Sequence, residues 1–242
     1  MSDPKTAAIV VAAGLGARFR GTVKKQFQNL FGKPVLSYSI EILESSSLVE
    51  EIVLVVPDDS IDYCHSEVIE RFGFKKITKI IPGGKERRHS VERGFNSLSD
   101  KIDVVLIHDG VRPFINNRMV EEVIKEASIS GGAIVAIPVK DTVKRSSPAN
   151  YIETTISRES LWLAQTPQAF RHDVLRTAYE KLEDGFIFTD ESSLIERLGI
   201  RVKLVKGSEF NIKITTAEDL FLGELIFREG IYKKDVQDRD RV

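Results

Sequence analysis

Two glycines at the end of an apolar run mark the first place in this chain where chemistry could occur. The run over residues 7–13 predicts a buried strand, which breaks into Gly14 and Gly16. Glycines in that position let backbone N–H groups approach a phosphate closely, although an ordinary tight turn would also use them. The pattern favours a phosphate-binding loop after the first strand.

Basic side chains follow these glycines directly. Arg18 and Lys25 would place positive charge where negative charge develops on a reacting phosphorus atom. The alternative is a pair of solvated surface cations, but the position after the glycine loop favours a catalytic role. Lys24 competes with Lys25 for this role, and spacing alone does not separate the two.

The loop differs from three common glycine-rich motifs. The dinucleotide-binding fingerprint needs a third glycine, and Phe19 stands in its place. The ATPase loop needs Gly-Lys-Ser or Gly-Lys-Thr, which does not follow Gly14 or Gly16. The His-Arg-Asp and Asp-Phe-Gly motifs of protein kinases are absent from the sequence.

A carboxylate stands at the end of another predicted strand, within His-Asp-Gly-Val-Arg-Pro-Phe at residues 108–114. Asp109 is well placed there to hold Mg²⁺ against phosphate oxygens, and Arg112 could bind a phosphate with two hydrogen bonds. The alternative is a structural aspartate that pairs with Arg112. We expect His108 to be structural, because phosphoryl transfer needs little acid–base catalysis.

A second glycine pair, Gly83 and Gly84, ends the third predicted strand and leads into a helix. Close approach of the backbone to a nucleobase or ribose is one interpretation, with Ser90 donating to the base; an ordinary strand–helix turn is the other. We expect Arg87 and Arg88 to lie on a solvated helix face.

Further polar residues carry little information singly. Arg158, Thr166 and Lys213 are far apart in the sequence, and none of them by itself favours a functional role. The segment Thr-Asp-Glu-Ser at residues 189–192 predicts a helix cap with an acidic first turn.

Composition narrows the class of protein. The 242 residues suffice for one large α/β domain, and a net charge of −1 argues against a nucleic-acid or membrane surface. Cys64 is the only cysteine, which excludes an internal disulfide and a cysteine-based metal site. With no secretory pattern at residues 1–5, we expect a cytoplasmic protein. We expect residues 1–230 to form one domain and residues 231–242 to be a charged, disordered tail.

Strand-like runs alternate with helical periodicity along the chain. We predict strands at residues 7–12, 51–56, 77–81, 103–107, 133–138 and 202–205. We predict helices at residues 35–44, 60–71, 86–98, 117–128, 173–182, 191–198 and 217–228. The alternation indicates an α/β fold with a mostly parallel, twisted sheet flanked by helices, and ligands beyond the carboxyl ends of its strands.

Residues 139–156 break this alternation. Polar and apolar residues alternate on both sides of the turn Ser-Ser-Pro-Ala-Asn at residues 146–150, which predicts a projecting β-hairpin. Since so few apolar residues give the hairpin no core of its own, we expect this arm to pack on another chain.

Taken together, seven segments resemble the family of 2-C-methyl-D-erythritol 4-phosphate cytidylyltransferases. They are residues 12–18 (Ala-Ala-Gly-Leu-Gly-Ala-Arg), 25–27 (Lys-Gln-Phe), 108–113 (His-Asp-Gly-Val-Arg-Pro), 141–144 (Asp-Thr-Val-Lys), 166–170, 189–191 (Thr-Asp-Glu) and 211–220. They occur in the family's order, and the set is more specific than any one motif. The resemblance implies a Rossmann-like nucleotidyltransferase fold and a homodimer whose hairpin arms interlock.

The reaction implied by the resemblance joins CTP and 2-C-methyl-D-erythritol 4-phosphate and releases pyrophosphate, in non-mevalonate isoprenoid biosynthesis. The implied catalytic residues are Arg18, Lys25, Arg158 and Lys213. The implied nucleotide-binding residues are Ala12, Ala13, Gly14, Gly16, Gly84, Ser90 and Gly110. The implied substrate-binding residues are Asp109, Arg112, Thr142, Arg158, Thr166 and Lys213. Asp109 would also hold Mg²⁺ or another divalent cation.

The chain departs from the family pattern in three places. Lys24 stands where the family usually has proline, and Lys85 stands where relatives often have an acidic or polar residue. Phe210 stands where some relatives have aspartate, so a second carboxylate for the metal is not evident.

Three other functions fit parts of the sequence. A ribitol 5-phosphate cytidylyltransferase of wall-polymer synthesis would share the nucleotide loops, but its loop commonly resembles Ala-Gly-Gly rather than Ala-Ala-Gly. A catalytically inactive nucleotide-binding regulator would not need cations that act in a transition state. A nicotinamide-dependent oxidoreductase would need the missing third glycine.

Overall fold

A seven-stranded sheet forms the centre of the molecule in the computed structural model, which describes residues 3–14, 19, 23–183, 186 and 188–231. The predicted site residues Gly16 and Arg18 lie outside the described residues, as does the predicted tail after Ile231. The strands are β1 (Thr6–Val11), β2 (Asn29–Leu30), β3 (Lys33–Pro34), β4 (Val49–Val56), β5 (Ile77–Pro82), β6 (Val104–Asp109), β7 (Gly132–Pro138), β8 (Val143–Ser146), β9 (Ile152–Ile156), β10 (Trp162–Arg171) and β11 (Lys203–Lys206). The helices are α1 (Val35–Ser45), α2 (Ile61–Tyr63), α3 (Arg87–Asn96), α4 (Asn117–Ser130), α5 (His172–Glu180), α6 (Ser192–Arg197) and α7 (Ala217–Arg228).

The strand order of the large sheet is β11-β7-β10-β6-β1-β4-β5. β10 runs antiparallel to both of its neighbours, and the other six strands run in one direction. The predicted mostly parallel sheet is therefore confirmed, and the carboxyl ends of β1, β4, β5 and β6 lie side by side at one edge.

β10 is the strand of the large sheet that the sequence-based prediction lacks. Residues 165–168 at its middle read Gln-Thr-Pro-Gln, and proline cannot donate a hydrogen bond to a neighbouring strand. The pairing of β10 with β7 shifts register between Ala164 and Gln168, which accommodates the proline. This segment is a strand because it pairs with β6 on one side and β7 on the other, and no local sequence pattern predicts that pairing.

Apolar side chains of β1 alternate between the two faces of the sheet. Ala8 and Val10 belong to a core cluster with α1 and α4, whereas Ala7, Ile9 and Val11 belong to a second cluster with α3, α5 and α6. Every residue of β1 is buried. Helices thus cover both faces of the sheet, as predicted, and bury β1 from both sides.

Local sequence sets the ends of several helices. Asn116 caps α4 by accepting a hydrogen bond from the N–H of Met119 at 2.9 Å, and Gly131 ends α4 with a φ of 94°. Thr216 and Asp219 form a capping box at the start of α7. The helix predicted at residues 60–71 consists of α2 and wider helical turns over Cys64–Glu70. No helix in the described ranges is long and apolar enough to cross a lipid bilayer.

β8 and β9 form the predicted hairpin as a two-stranded sheet separate from the large one. Its turn contains Asn150 with a φ of 64°, a left-handed conformation that asparagine tolerates better than most residues. Tyr151 and Ile152 are 76% and 67% exposed. The arm therefore presents apolar side chains to its surroundings.

Candidate active site

A cavity of about 560 Å³ lies over the carboxyl ends of β1, β4, β5 and β6. Such a position, beyond the carboxyl ends of parallel strands, is where open α/β sheets bind ligands. Of the predicted nucleotide-binding residues, those that line this cavity are Ala12, Ala13, Gly14, Gly84 and Ser90. The cavity also contains Lys25, Asp109 and Lys213 from the other two predicted groups. We call it the nucleotide cavity.

The side chains of the two neighbouring lysines, Lys24 and Lys25, have different surroundings in the structure. A Cβ placed on Gly14 would lie 3.6 Å from Lys25 Nζ, so the ammonium of Lys25 lies beside the glycine loop. Lys24 is held by the loop after β4, where its ammonium donates to Ser60 Oγ at 2.8 Å and pairs with Asp59. The geometry therefore places Lys25 next to the predicted phosphate-binding loop.

The two glycine loops meet each other. A Cβ on Gly83 would lie 2.1 Å from the Cβ of Ala13, so only glycine allows this approach. Ser90 Oγ accepts a hydrogen bond from the N–H of Gly84 at 3.0 Å and donates to the carbonyl of Glu86 at 3.3 Å. Ser90 thus organises the second glycine loop, and its bond to a nucleobase stays a prediction.

A second cavity of about 270 Å³ adjoins the first. Arg112 and Thr166, both predicted to bind substrate, line it. It shares Arg87, Asp109 and Lys213 with the nucleotide cavity, so these three side chains form a common wall. We call it the phosphate cavity.

Asp109 is surrounded by cations that come from three parts of the chain. Its Oδ1 accepts from Arg87 Nε at 3.0 Å, its Oδ2 lies 2.8 Å from Lys213 Nζ, and Arg112 Nε is 3.7 Å from the same oxygen. Burial alone would raise the pKa of Asp109, but Arg87 and Lys213 hold that pKa well below its usual range. The carboxylate is therefore ionised throughout the neutral range, within a positive setting that suits phosphate groups.

Our prediction for Arg87 was wrong, because this side chain faces into the site and not into solvent. Besides its bond to Asp109, it donates from an Nη atom to Glu191 Oε2 at 2.8 Å. Arg88, also expected on a solvated face, donates to the carbonyl of Phe186 at 2.7 Å. Both arginines at the start of α3 thus connect this helix to the segment before α6.

The predicted cap at residues 189–192 is only partly right. Asp190 Oδ1 does accept from the N–H of Ser193 at 3.3 Å. Glu191, expected to interact with the helix end as part of an acidic first turn, is fully buried and meets Arg87, which lies 104 positions earlier in the sequence. The residues next to Glu191 in the sequence do not distinguish a buried glutamate that pairs with a distant arginine from a glutamate that only interacts with the N-terminus of a helix.

The structure agrees with a structural role for His108, which is fully buried. Its Nε2 lies 3.3 Å from the carbonyl of Arg112 and its Nδ1 lies 3.0 Å from Thr166 Oγ1. Since a carbonyl only accepts, Nε2 carries the proton and Nδ1 accepts from the Thr166 hydroxyl. Burial lowers the pKa of His108 to about 4, so the ring is neutral at higher pH. Thr166 Oγ1 in turn accepts from the N–H of Asp109 at 3.0 Å.

The loop before α7 brings Lys213 into the site. Asn211 is fully buried; its Nδ2 donates to the carbonyl of Thr166 at 2.9 Å, and its carbonyl accepts from Arg112 at 2.7 Å. These bonds fix the loop so that Lys213 reaches Asp109. Residues that are distant in the sequence and uninformative singly therefore form one cluster.

Among the predicted site residues that the structure describes, three lie away from both cavities. A Cβ on Gly110 would lie 2.6 Å from Leu36 Cδ1, so this glycine allows close packing of α1. The N–H of Gly110 donates to the carbonyl of Val11 at 2.9 Å, and its role in nucleotide binding stays a prediction. Thr142 and Arg158 are exposed and lie on either side of the hairpin.

The sheet is mostly parallel, its first strand ends in a glycine loop, and two adjoining cation-lined cavities lie at its carboxyl edge. Together with the solved structures that share this fold, these features identify a nucleotidyltransferase of Rossmann-like fold. The family described as "IspD: 2-C-methyl-D-erythritol 4-phosphate cytidylyltransferase" matches residues 6–229. The chain belongs to this 2-C-methyl-D-erythritol 4-phosphate cytidylyltransferase family.

Individual relatives agree with this family. The 2-C-methyl-D-erythritol 4-phosphate cytidylyltransferase of Geotalea uraniireducens is 44% identical over 227 residues, which cover 93% of this chain and 97% of the relative. That of Geobacter metallireducens is 44% identical over 228 residues, which cover 93% and 98%. The crystal structure of 4-diphosphocytidyl-2C-methyl-D-erythritol synthase from Anaerococcus prevotii is 30% identical in sequence and has a TM-score of 0.83. The match covers 94% of this chain and 100% of the chain in that structure. The resemblance and the fold are confirmed, and the ribitol 5-phosphate alternative is not favoured.

Proposed function

We propose that this chain transfers the cytidylyl group of CTP to the phosphate of 2-C-methyl-D-erythritol 4-phosphate and releases pyrophosphate. Family membership supports the reaction, and the wall that the two cavities share supports the placement of the substrates. The nucleotide cavity lies at the glycine loop and suits CTP. The phosphate cavity, lined by Arg112 and Lys213, suits the phosphate of the second substrate. The reacting groups would meet at the shared wall.

The proposed reaction is an in-line displacement at the α-phosphorus of CTP. A phosphate oxygen of the second substrate forms the new bond, and the bond from the α-phosphorus to the bridging oxygen of pyrophosphate breaks, with its electron pair leaving on pyrophosphate. A phosphate nucleophile is already anionic, so no general base is needed, in keeping with a neutral His108. Lys25 would stabilise the negative charge that develops around the α-phosphorus of CTP, and Arg18 would add a second cation.

Asp109 is the residue that would help to hold a magnesium ion. An ionised carboxylate has about four lone-pair sites, so its bonds to Arg87 and Lys213 leave capacity for a metal. The described residues contain no cluster of three or more metal-ligating side chains, so phosphate oxygens and waters would supply the other ligands, as Mg²⁺ prefers. Bound magnesium would neutralise part of the triphosphate charge.

The proposed function is tested by pyrophosphate release from CTP and Mg²⁺, with 2-C-methyl-D-erythritol 4-phosphate and ribitol 5-phosphate offered separately. We expect release with the first substrate only, loss of release with EDTA, and recovery on addition of excess Mg²⁺. Release with ribitol 5-phosphate only would keep the chemistry and contradict the substrate. No release with either substrate would favour a nucleotide-binding regulator.

We also propose that the hairpin arm packs on a second copy of this chain. Tyr151 and Ile152 are largely exposed on the arm, and Trp162 and Leu163 beside it are 40% and 55% exposed. Burying such side chains is favourable in proportion to their apolar area. A homodimer would also bring Thr142 and Arg158, which lie outside this chain's cavities, to the site of the partner.

Mixing inactive variants tests whether sites are shared between two copies. If each site combines Lys25 of one copy with Arg158 of the other, co-refolded Lys25→Ala and Arg158→Ala chains form mixed dimers with one intact site. We expect about a quarter of wild-type activity to return, since half of the dimers are mixed. Mixing Lys25→Ala with Lys213→Ala is the matched control and should restore nothing, because both residues line one cavity. No recovery in the first mixture would argue against shared sites.

We propose the cytoplasm as the compartment of this protein. Cys64 is free and buried, and no described feature depends on an oxidised thiol. A reducing compartment and a small phosphorylated substrate both fit this location.

A further inference from the structure

We propose that Glu191 is a positioning residue of the transfer reaction: acting through Arg87, it fixes Asp109 in the wall between the two cavities. This inference rests on the proposed function and assigns a role to a buried carboxylate that touches neither substrate. Three observations carry it: the path of the hydrogen bonds, the isolation of Glu191, and the division of the two oxygens of Asp109 between different cations.

The first observation is that one guanidinium spans two carboxylates. Arg87 donates from Nε to Asp109 Oδ1 at 3.0 Å and from an Nη atom to Glu191 Oε2 at 2.8 Å. The planar guanidinium has donors at fixed angles, so the position of one carboxylate constrains the other. Glu191 therefore sets the orientation in which Arg87 meets Asp109.

The second observation is that, within the described residues, Arg87 is the side chain that hydrogen-bonds to the carboxylate of Glu191. Its side chain is fully buried, and its Oε1 has no hydrogen-bond partner within the described part of the chain. Burial raises the pKa of Glu191, and the charge of Arg87 opposes that rise. Since an apolar residue of similar volume often stabilises a fold as well as a buried ion pair, stability alone does not account for a glutamate here.

The third observation is that Asp109 is shared. Arg87 holds its Oδ1, while Lys213 lies at its Oδ2 with Arg112 farther from the same oxygen. Without the Glu191 charge, Arg87 would keep Asp109 as its only carboxylate partner and would draw it away from Lys213. Of these two cations, Lys213 lines both cavities and Arg112 lines the phosphate cavity but not the nucleotide cavity, so use of the second substrate should suffer more than binding of CTP.

The test is the isosteric variant Glu191→Gln, compared with wild type under saturating Mg²⁺. We expect kcat/KM for 2-C-methyl-D-erythritol 4-phosphate to fall about tenfold to a hundredfold, as is typical when a residue that orients a site residue is changed. We expect KM for CTP to stay within about threefold, because the glycine loops are untouched. A rise in KM for CTP as large as the loss of kcat/KM for the second substrate, or no loss for either substrate, would overturn the inference.

Arg88→Gln is the matched control. Arg88 connects the same turn of α3 to the carbonyl of Phe186 but does not reach Asp109. If Glu191 acts through Arg87, Arg88→Gln should leave kcat/KM for 2-C-methyl-D-erythritol 4-phosphate near the wild-type value. If Glu191 only tethers this segment to α3, Arg88→Gln should lower that kcat/KM as much as Glu191→Gln does, and this result would overturn the inference.

A second variant covers the case in which Glu191→Gln fails to fold. Arg87→Lys keeps the charge but loses the fork that spans both carboxylates, so it should show the same selective loss. Calorimetric binding of CTP to Glu191→Gln and to Arg88→Gln gives a readout independent of turnover and should stay near the wild-type value, because neither Glu191 nor Arg88 lines the nucleotide cavity. Inactive wild-type protein would refute the proposed function, whereas active wild type with unaffected variants would refute only the role of Glu191.

Discussion

Replacing Lys25 by alanine is expected to lower kcat by about three orders of magnitude, the effect of removing a preorganised cation from a phosphoryl-transfer site. The ammonium of Lys25 lies beside Gly14, where the triphosphate would be held. Its contact should strengthen as charge develops on the α-phosphorus, so KM for CTP should change by no more than about threefold. Single-turnover measurement of pyrophosphate release at saturating CTP reports this step directly.

Lys24→Ala is the natural control for that experiment. It removes an identical side chain one position away, whose ammonium is held by Ser60 and Asp59. We expect kcat to remain within about threefold of wild type, since an exposed ion pair contributes little. The opposite result, with Lys24→Ala inactive and Lys25→Ala active, would show that Lys24 has the catalytic role that we assign to Lys25.

The second large effect is expected for Asp109→Asn. The neutral amide turns N–H donors towards Arg87 or Lys213, and the three surrounding cations lose their shared counter-charge. Breaking a buried ion network by removing one partner costs about 3 kcal/mol or more, so Tm should fall by about 6–12 °C. Because both cavities depend on this wall, kcat/KM for both substrates should fall by about two orders of magnitude or more.

Asp173→Asn makes the matched comparison for Asp109→Asn. Asp173 is an exposed aspartate whose ion-pair partner is Arg171, far from the cavities, so both Tm and kcat/KM should stay near wild type. Scanning calorimetry and steady-state kinetics on the two variants separate the effect of the site from that of losing an aspartate. An Asp109→Asn protein with wild-type kinetics would remove Asp109 from the proposed site.

The parts of the site that sequence could predict are those encoded by neighbouring residues. Gly14 and Lys25 follow one strand closely, and Asp109 ends another, so local patterns were enough to point to phosphate chemistry. Parallel strands then bring those ends to one edge, which is why a correct fold prediction also brought the loops together.

The parts that sequence missed depend on pairs of distant residues. Arg87 resembles any basic residue at the start of a helix until Glu191 is placed opposite it. Asn211 fixes Lys213 only because Thr166 lies within reach of its amide. In each case the information is a contact between separate elements, and the hydropathy of either segment alone does not contain it.

β10 also has a consequence for how the protein is made. In the sheet it separates β6 from β7, yet it follows both of them in the sequence. Until the ribosome has added residue 171, β6 has one edge without a strand to pair with, and such edges are templates for pairing with other chains. Asp109 ends β6 and its N–H bonds to Thr166 on β10, so the centre of the site is assembled only when this late strand enters between two earlier ones.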